Sequence, residues 1–185
     1  MDEKSKQLIS DTRQPIKMSK GKTQKIDYEY KRNGTRNIFV AVEPKAGKHF
    51  IKVTNTRTKA DFAKFIEILL CVVYPHVEKL IVVLDNLNTH FVKSFYETFS
   101  KAKADKLLER VEFCYTPKHA SWLNMAEIEI SMLEEECIGR RIGTEDHLIE
   151  EIDEWVKQVN QENRKIKWEY TKRNAYYRLS KHYVS

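Results

Sequence analysis

Five consecutive aliphatic residues, Leu80-Ile81-Val82-Val83-Leu84, run straight into an acid, Asp85. An unbroken, β-branched run of this length suits a central strand buried on both faces. Such a strand belongs in an α/β fold, with helices covering the sheet. The residues that follow, Asn86-Leu87-Asn88-Thr89-His90, turn abruptly polar. A carboxylate at the C-terminal end of a central strand is where α/β sheets place ligand and metal chemistry. An Asp in that position can equally cap the next helix.

The flanking segments fit the same plan. Residues 4–33 are polar and basic, with Lys17, Lys20, Lys22, Lys25, Lys31 and Arg32, and read as an exposed, loop-rich stretch. Ile38 to Val42 and His49 to Thr54, separated by a turn around Pro44 and Gly47, predict a β-hairpin. Phe62, Phe65, Ile66, Leu69 and Leu70 recur at helical spacing, which predicts a helix over 59–73 that stops before Pro75. Another is expected through Phe91, Phe95 and Phe99 to about Arg110, then a short strand from Val111 to Tyr115, then a helix over 121–138. Thr144 caps a further helix whose first turn holds Glu145 and Asp146. The segment with Trp168, Tyr170, Tyr176 and Tyr177 is expected to be helical too. Hairpin, helix, strand, helix, strand, helix is an α/β order with a mixed sheet.

A second polar turn, Tyr115-Thr116-Pro117-Lys118-His119-Ala120-Ser121-Trp122, leads into the helix that carries Glu127 and Glu129. Residues two apart lie about 200° apart around a helix, so these acids cannot serve one site. Glu127 falls in line with Leu123, Ile130 and Glu134, near the apolar stripe, and Glu129 is expected to point toward solvent. An acid beside a buried face is the costlier placement and the better functional candidate.

Leu84 to His90 together with Tyr115 to Glu129 closely resembles the catalytic region of bacterial insertion-sequence transposases of the DDE type, relatives of mariner. Asp27 to Tyr30, Gly34-Thr35, Phe39, Glu43-Pro44, Thr58 to Phe62, Arg140-Arg141-Ile142 and Trp168 to Thr171 also look like that family, so the resemblance covers essentially the whole chain. It implies an RNase H-like mixed sheet flanked by helices, with residues 1–143 as catalytic domain and 144–185 as a C-terminal helical extension. It also implies a triad of metal-binding acids: Asp2 of the Asp2-Glu3 pair first, Asp85 second, Glu127 third. Three carboxylates suit two Mg²⁺ or Mn²⁺ ions, hard cations that complete their shells with water and substrate phosphate. The expected activity is cleavage of DNA at element ends and strand transfer to target DNA, by a homodimer. Asn86, His90, Lys118, His119, Arg140 and Arg141 are the expected DNA contacts. His90 could instead orient the metal shell, and Arg140 and Arg141 could instead match the charge of a helix C-terminus.

Members of that family carry residues upstream of the first acid that complete the opening strand, and before those a helix-turn-helix region. Here Asp2 is expected at a frayed strand start. That leaves either a longer product to which Met1 is internal or a catalytically impaired remnant that only binds DNA or a partner. A general RNase H-like nuclease is a third reading. The net charge of +6 and pI near 9.1 suit a phosphate-binding protein. Cys71, Cys114 and Cys137 are too scattered for a disulfide framework or a cysteine zinc site. No apolar stretch approaches the roughly 18 residues of a membrane span, and a cytoplasmic setting is expected.

Overall fold

The first strand, β1 (Asp2–Asp11), pairs antiparallel with β2 (Tyr30–Glu43), which pairs antiparallel with β3 (Lys48–Thr54). A computed structural model describes residues 1–117 and 123–167, with positions 171, 173, 174, 176, 177 and 180 beyond them. The predicted hairpin is β2–β3. Gly47 closes it at φ 67°, donating its N–H to the Glu43 carbonyl at 2.8 Å. β1 corrects the expectation of a loop over 4–33: residues 4–11 belong to this strand, 30–33 begin β2, and only 12–29 connect. The strand escapes pattern reading because its side chains are almost all polar and only Leu8 is buried along it. Its first residue does not fray. Asp2 pairs with Val40, and Met1 is buried at 6% exposure.

Thr58 and Asp61 form a reciprocal capping box that starts α1 (Lys59–Ile68), which continues through a π-helical turn, Leu69–Val73, to stop before Pro75. β4 (Leu80–Leu84) and β5 (Val111–Tyr115) pair in parallel as a separate two-stranded sheet. The expected single mixed sheet is therefore two sheets within a mixed α/β architecture. β4 is not buried on both faces either. Val82 and Leu84 are buried, but Ile81 is 63% exposed and Val83 44%. One helix was expected between β4 and β5; there are two, α2 (Lys93–Thr98) and α3 (Lys101–Leu108), broken where Phe99 turns extended.

Successive residues of β2 face opposite ways. Phe39 packs with Phe62, Phe65 and Phe95 on the α1 side, while Ile38 and Val40 pack with Leu133, Ile138, Leu148, Ile152 and Trp155 on the other. That second layer is built by α4 (Met125–Leu133), extended by a π-helical turn Glu134–Ile138, and by α5 (Glu145–Glu162), which lies on β3. Thr144 caps α5 by accepting from the His147 N–H. Positions 173, 174, 176, 177 and 180 are helical. No described helix is long and apolar enough to cross a membrane.

The two sheets meet where β1 begins. The Met1 amine donates to the Val83 carbonyl at 2.7 Å, so β1 abuts the edge of β4 that β5 leaves open. Beyond this bond an apolar slot of about 630 Å³ runs between Ala41–Pro44 and Leu80–Val83.

Candidate active site

Cross-strand partners in an antiparallel pair share a face of the sheet. Asp2 sits opposite Val40 and so faces the α4 layer; Glu3 sits opposite Phe39 and faces the α1 layer. Asp85 follows the end of β4 directly, and its carboxylate reaches His90 Nδ1, whose Nε2 faces Glu3. Asp2 and Asp85 thus lie at the meeting ends of different sheets, near enough for the Asp85 charge to act on Asp2.

The Asp85 charge acts on the Asp2 carboxyl. Burial pushes the Asp2 carboxyl up to about 6, against a hydrogen bond from the Glu3 N–H, and the charges of Asp85 and Glu3 raise it further. The Met1 amine is depressed to about 6 by burial, despite the acids around it. Two neighbouring carboxylates offer an all-oxygen donor set of the kind that suits a hard divalent cation.

His90 joins the two sheet ends. It is fully buried, packed against the Phe62 ring with centroids 4.9 Å apart. Its Nδ1 lies 2.7 Å from Asp85 Oδ1 and its Nε2 lies 2.6 Å from Glu3 Oε1. Burial opposes charge on this ring, but the hydrogen bond and charge of Glu3, then those of Asp85, outweigh it and raise its pKa. Each ring nitrogen faces a carboxylate oxygen. The rest of the loop is pinned: the Leu87 N–H donates to Asp85 Oδ1 at 3.2 Å, Asn86 Nδ2 to the Thr116 carbonyl, and the Tyr115 hydroxyl to the His90 carbonyl at 2.6 Å. His90 was expected to contact DNA or to orient the metal shell; it is buried between the carboxylates of Asp85 and Glu3. A side chain with no exposed surface and both ring nitrogens engaged offers nothing to a phosphate. Asn86 donates from Nδ2 to the Thr116 carbonyl and remains exposed.

α4 brings Glu127. Its N-cap, Asn124, is buried and donates from Nδ2 to the Met1 carbonyl at 2.9 Å, tying the start of the helix to the start of β1. Two turns beyond Glu127, on the same face, Glu134 pairs with Lys4 at 3.2 Å. The helix therefore runs alongside β1 with its Glu127 face toward that strand. Even so, among the described residues no group of three or more His, Cys, Asp or Glu is gathered closely enough to hold a metal ion.

Glu129 departs from expectation. It is 3% exposed, and its Oε2 lies 2.5 Å from His49 Nε2 of β3. α4 is wedged between β1 and the β3–α5 layer, so two faces about 200° apart are both turned inward. Ile128, at 46% exposure, takes the solvent side.

Arg140 and Arg141 lie away from the acids. Arg140 pairs with Glu151 of α5, and Arg141 with Asp11 at 2.5 Å, at the far end of β1. At a rise of about 3.3 Å per residue, that end is roughly 30 Å from Asp2. Lys118 and His119 fall outside the described residues. The sequence missed Glu3, Asn124 and the His49–Glu129 pair as structural partners; only the Asp2-Glu3 doublet signalled one of them.

The sequence model of the family described as DDE superfamily endonuclease matches residues 1–149. No curated protein and no solved structure matches the chain.

Proposed function

The chain belongs to the DDE superfamily endonucleases, and on that premise we propose that it is the catalytic part of a DNA transposase of the bacterial insertion-sequence type. Residues 1–143 make up an RNase H-like catalytic domain, and 144–185 a helical extension packed on it. The observation that carries this reading is the convergence of Asp2 and Asp85 from two sheets, with Asp2 held well above the usual carboxylate range.

Asp2, Asp85 and Glu127 are the residues that would hold two Mg²⁺ or Mn²⁺ ions. Cations in that position supply charge stabilisation to an in-line displacement at phosphorus. The chain's own residues set the geometry. His90 takes up one oxygen of Asp85 and leaves the other free, Glu3 holds the far side of the imidazole, and Asn124 docks α4 so that Glu127 stands beside β1. The substrate is double-stranded DNA at element ends, then target DNA, handled by a homodimer. Water is the nucleophile in cleavage and a DNA 3′-hydroxyl in strand transfer. A new P–O bond forms as the bond to the departing DNA oxygen breaks. Lys118 and His119 contact the DNA.

One observation favours a second reading. The absence of a gathered three-acid cluster among the described residues is what a catalytically impaired remnant, binding only DNA or a partner, would show. Mn²⁺-dependent thermal stabilisation separates the two. A ligand bound only by the native state adds about 2.7 kcal/mol at 100 times its dissociation constant. The parent is expected to shift and the Asp2→Ala, Asp85→Ala and Glu127→Ala variants are not. No shift in the parent sinks the catalytic reading in favour of the remnant.

A further inference from the structure

The connection between β1 and β2 is not a plain loop. Ile16 pairs with Lys25 and Ser19 with Lys22 across a two-residue turn at Lys20-Gly21, where Gly21 takes the left-handed position at φ 75°. The result is a small hairpin arm over residues 12–29. It is anchored only at its base: Arg13 pairs with Asp27 at 3.2 Å, and Arg141 reaches the Tyr28 and Glu29 carbonyls while stacking over the Tyr30 ring. None of residues 12–29 is buried.

Its composition is odd for a solvated connector. Five basic and two acidic residues give it a net +3 of the chain's +6, in 18 of 185 residues. Lys17, Lys20, Lys22 and Lys25 are exposed, and the arm's one ion pair among the described residues is Arg13–Asp27. Between these lysines stand aliphatic and aromatic side chains open to solvent: Ile16 at 67% exposure, Met18 at 76%, Ile26 at 55% and Tyr28 at 86%. Basic charge interleaved with apolar surface fits a polyanion that also offers apolar edges, as the grooves of duplex DNA do. A second copy of the same arm would meet it with like charge.

The position of the arm adds a distance. It leaves β1 at Asp11, about 30 Å along the strand from Asp2 by the rise per residue, and one turn of duplex measures about 34 Å. We propose that the 12–29 arm is a second DNA anchor, gripping through Lys17, Lys20, Lys22 and Lys25 phosphates of the same duplex at least about one helical turn from the acids. This rests on the endonuclease reading for its substrate, and it assigns the arm to binding rather than chemistry.

Salt-dependent binding of a 30-base-pair duplex by the full chain, in chelator so that no cleavage occurs, tests it. Each phosphate neutralised contributes about 0.9 to the slope of log affinity against log salt. The Lys17→Ala/Lys20→Ala/Lys22→Ala/Lys25→Ala variant is expected to lose about 3 to 4 of that slope, with unchanged thermal stability. The protected footprint should shorten by about one turn on the side away from the acids. An unchanged slope and footprint overturns the arm while leaving the endonuclease reading intact. So does a variant that instead loses self-association in sedimentation, which would make the arm an interface between copies. A parent that shows no salt-dependent binding at all overturns both.

Discussion

Glu127 and Glu129 share a helix and differ in everything that decides their roles. Glu127 stands half-buried beside β1, while Glu129 is sealed against His49, whose imidazole meets the Trp155 ring edge-on with centroids 5.5 Å apart and whose Nδ1 has no partner among the described residues. Removing one member of a buried pair strands the other without solvent or partner, which costs roughly 2–4 kcal/mol. Glu129→Ala is therefore expected to lower the urea midpoint strongly, and Glu129→Gln, which keeps a hydrogen-bonding group, to lower it less. Glu127→Ala should barely change it. If Glu129→Ala unfolds like the parent, the buried pair is not a structural tie. At this scale the acids could be read from the sequence as candidates, but their partners could not. A helical wheel shows which residues share a face and nothing about which faces meet neighbours. The His90 clamp was hidden for the same reason, because its two carboxylates come from strands far apart in the chain.

Elements announced themselves in proportion to how simply they meet the core. α5 has one buried stripe, Leu148, Ile152, Trp155 and Val159, and a Thr144 cap, and both could be read in the chain. Thr144→Ala should cost about 1 kcal/mol in chemical denaturation, since the His147 N–H loses its acceptor. No loss would mean that water replaces the cap without cost. The β2–β3 hairpin and β5 were equally legible. β1 was not, because Lys4 and Lys6 on its inward face meet Glu134 and the Ile138 carbonyl rather than a hydrophobic layer. β4 misled in the opposite sense. Ile81 and Val83 are apolar like their neighbours, yet they border the slot instead of a packed layer. The break between α2 and α3 leaves no glycine or proline to mark it.

Across the whole molecule, Asp2 stands where the two sheets meet, so its ionisation bears on how they are joined. Its carboxyl is raised from 3.8 to about 6, so the folded chain holds that proton more tightly than the unfolded one. The stabilisation is complete below the unfolded pKa, near 3.8, and is lost as pH rises through about 6. The raised His90 acts in the same direction, and the depressed Met1 amine opposes it, losing its contribution as pH falls through about 6. Subtracting Asp2→Asn from the parent isolates the carboxyl. In chelator, the parent's advantage is expected to shrink as pH rises across that window. A difference independent of pH would show that the two sheets do not feel the charge. The joint itself, the Met1 amine on the Val83 carbonyl beside the apolar slot, is made by main chain on both sides, so replacing either side chain leaves donor and acceptor in place.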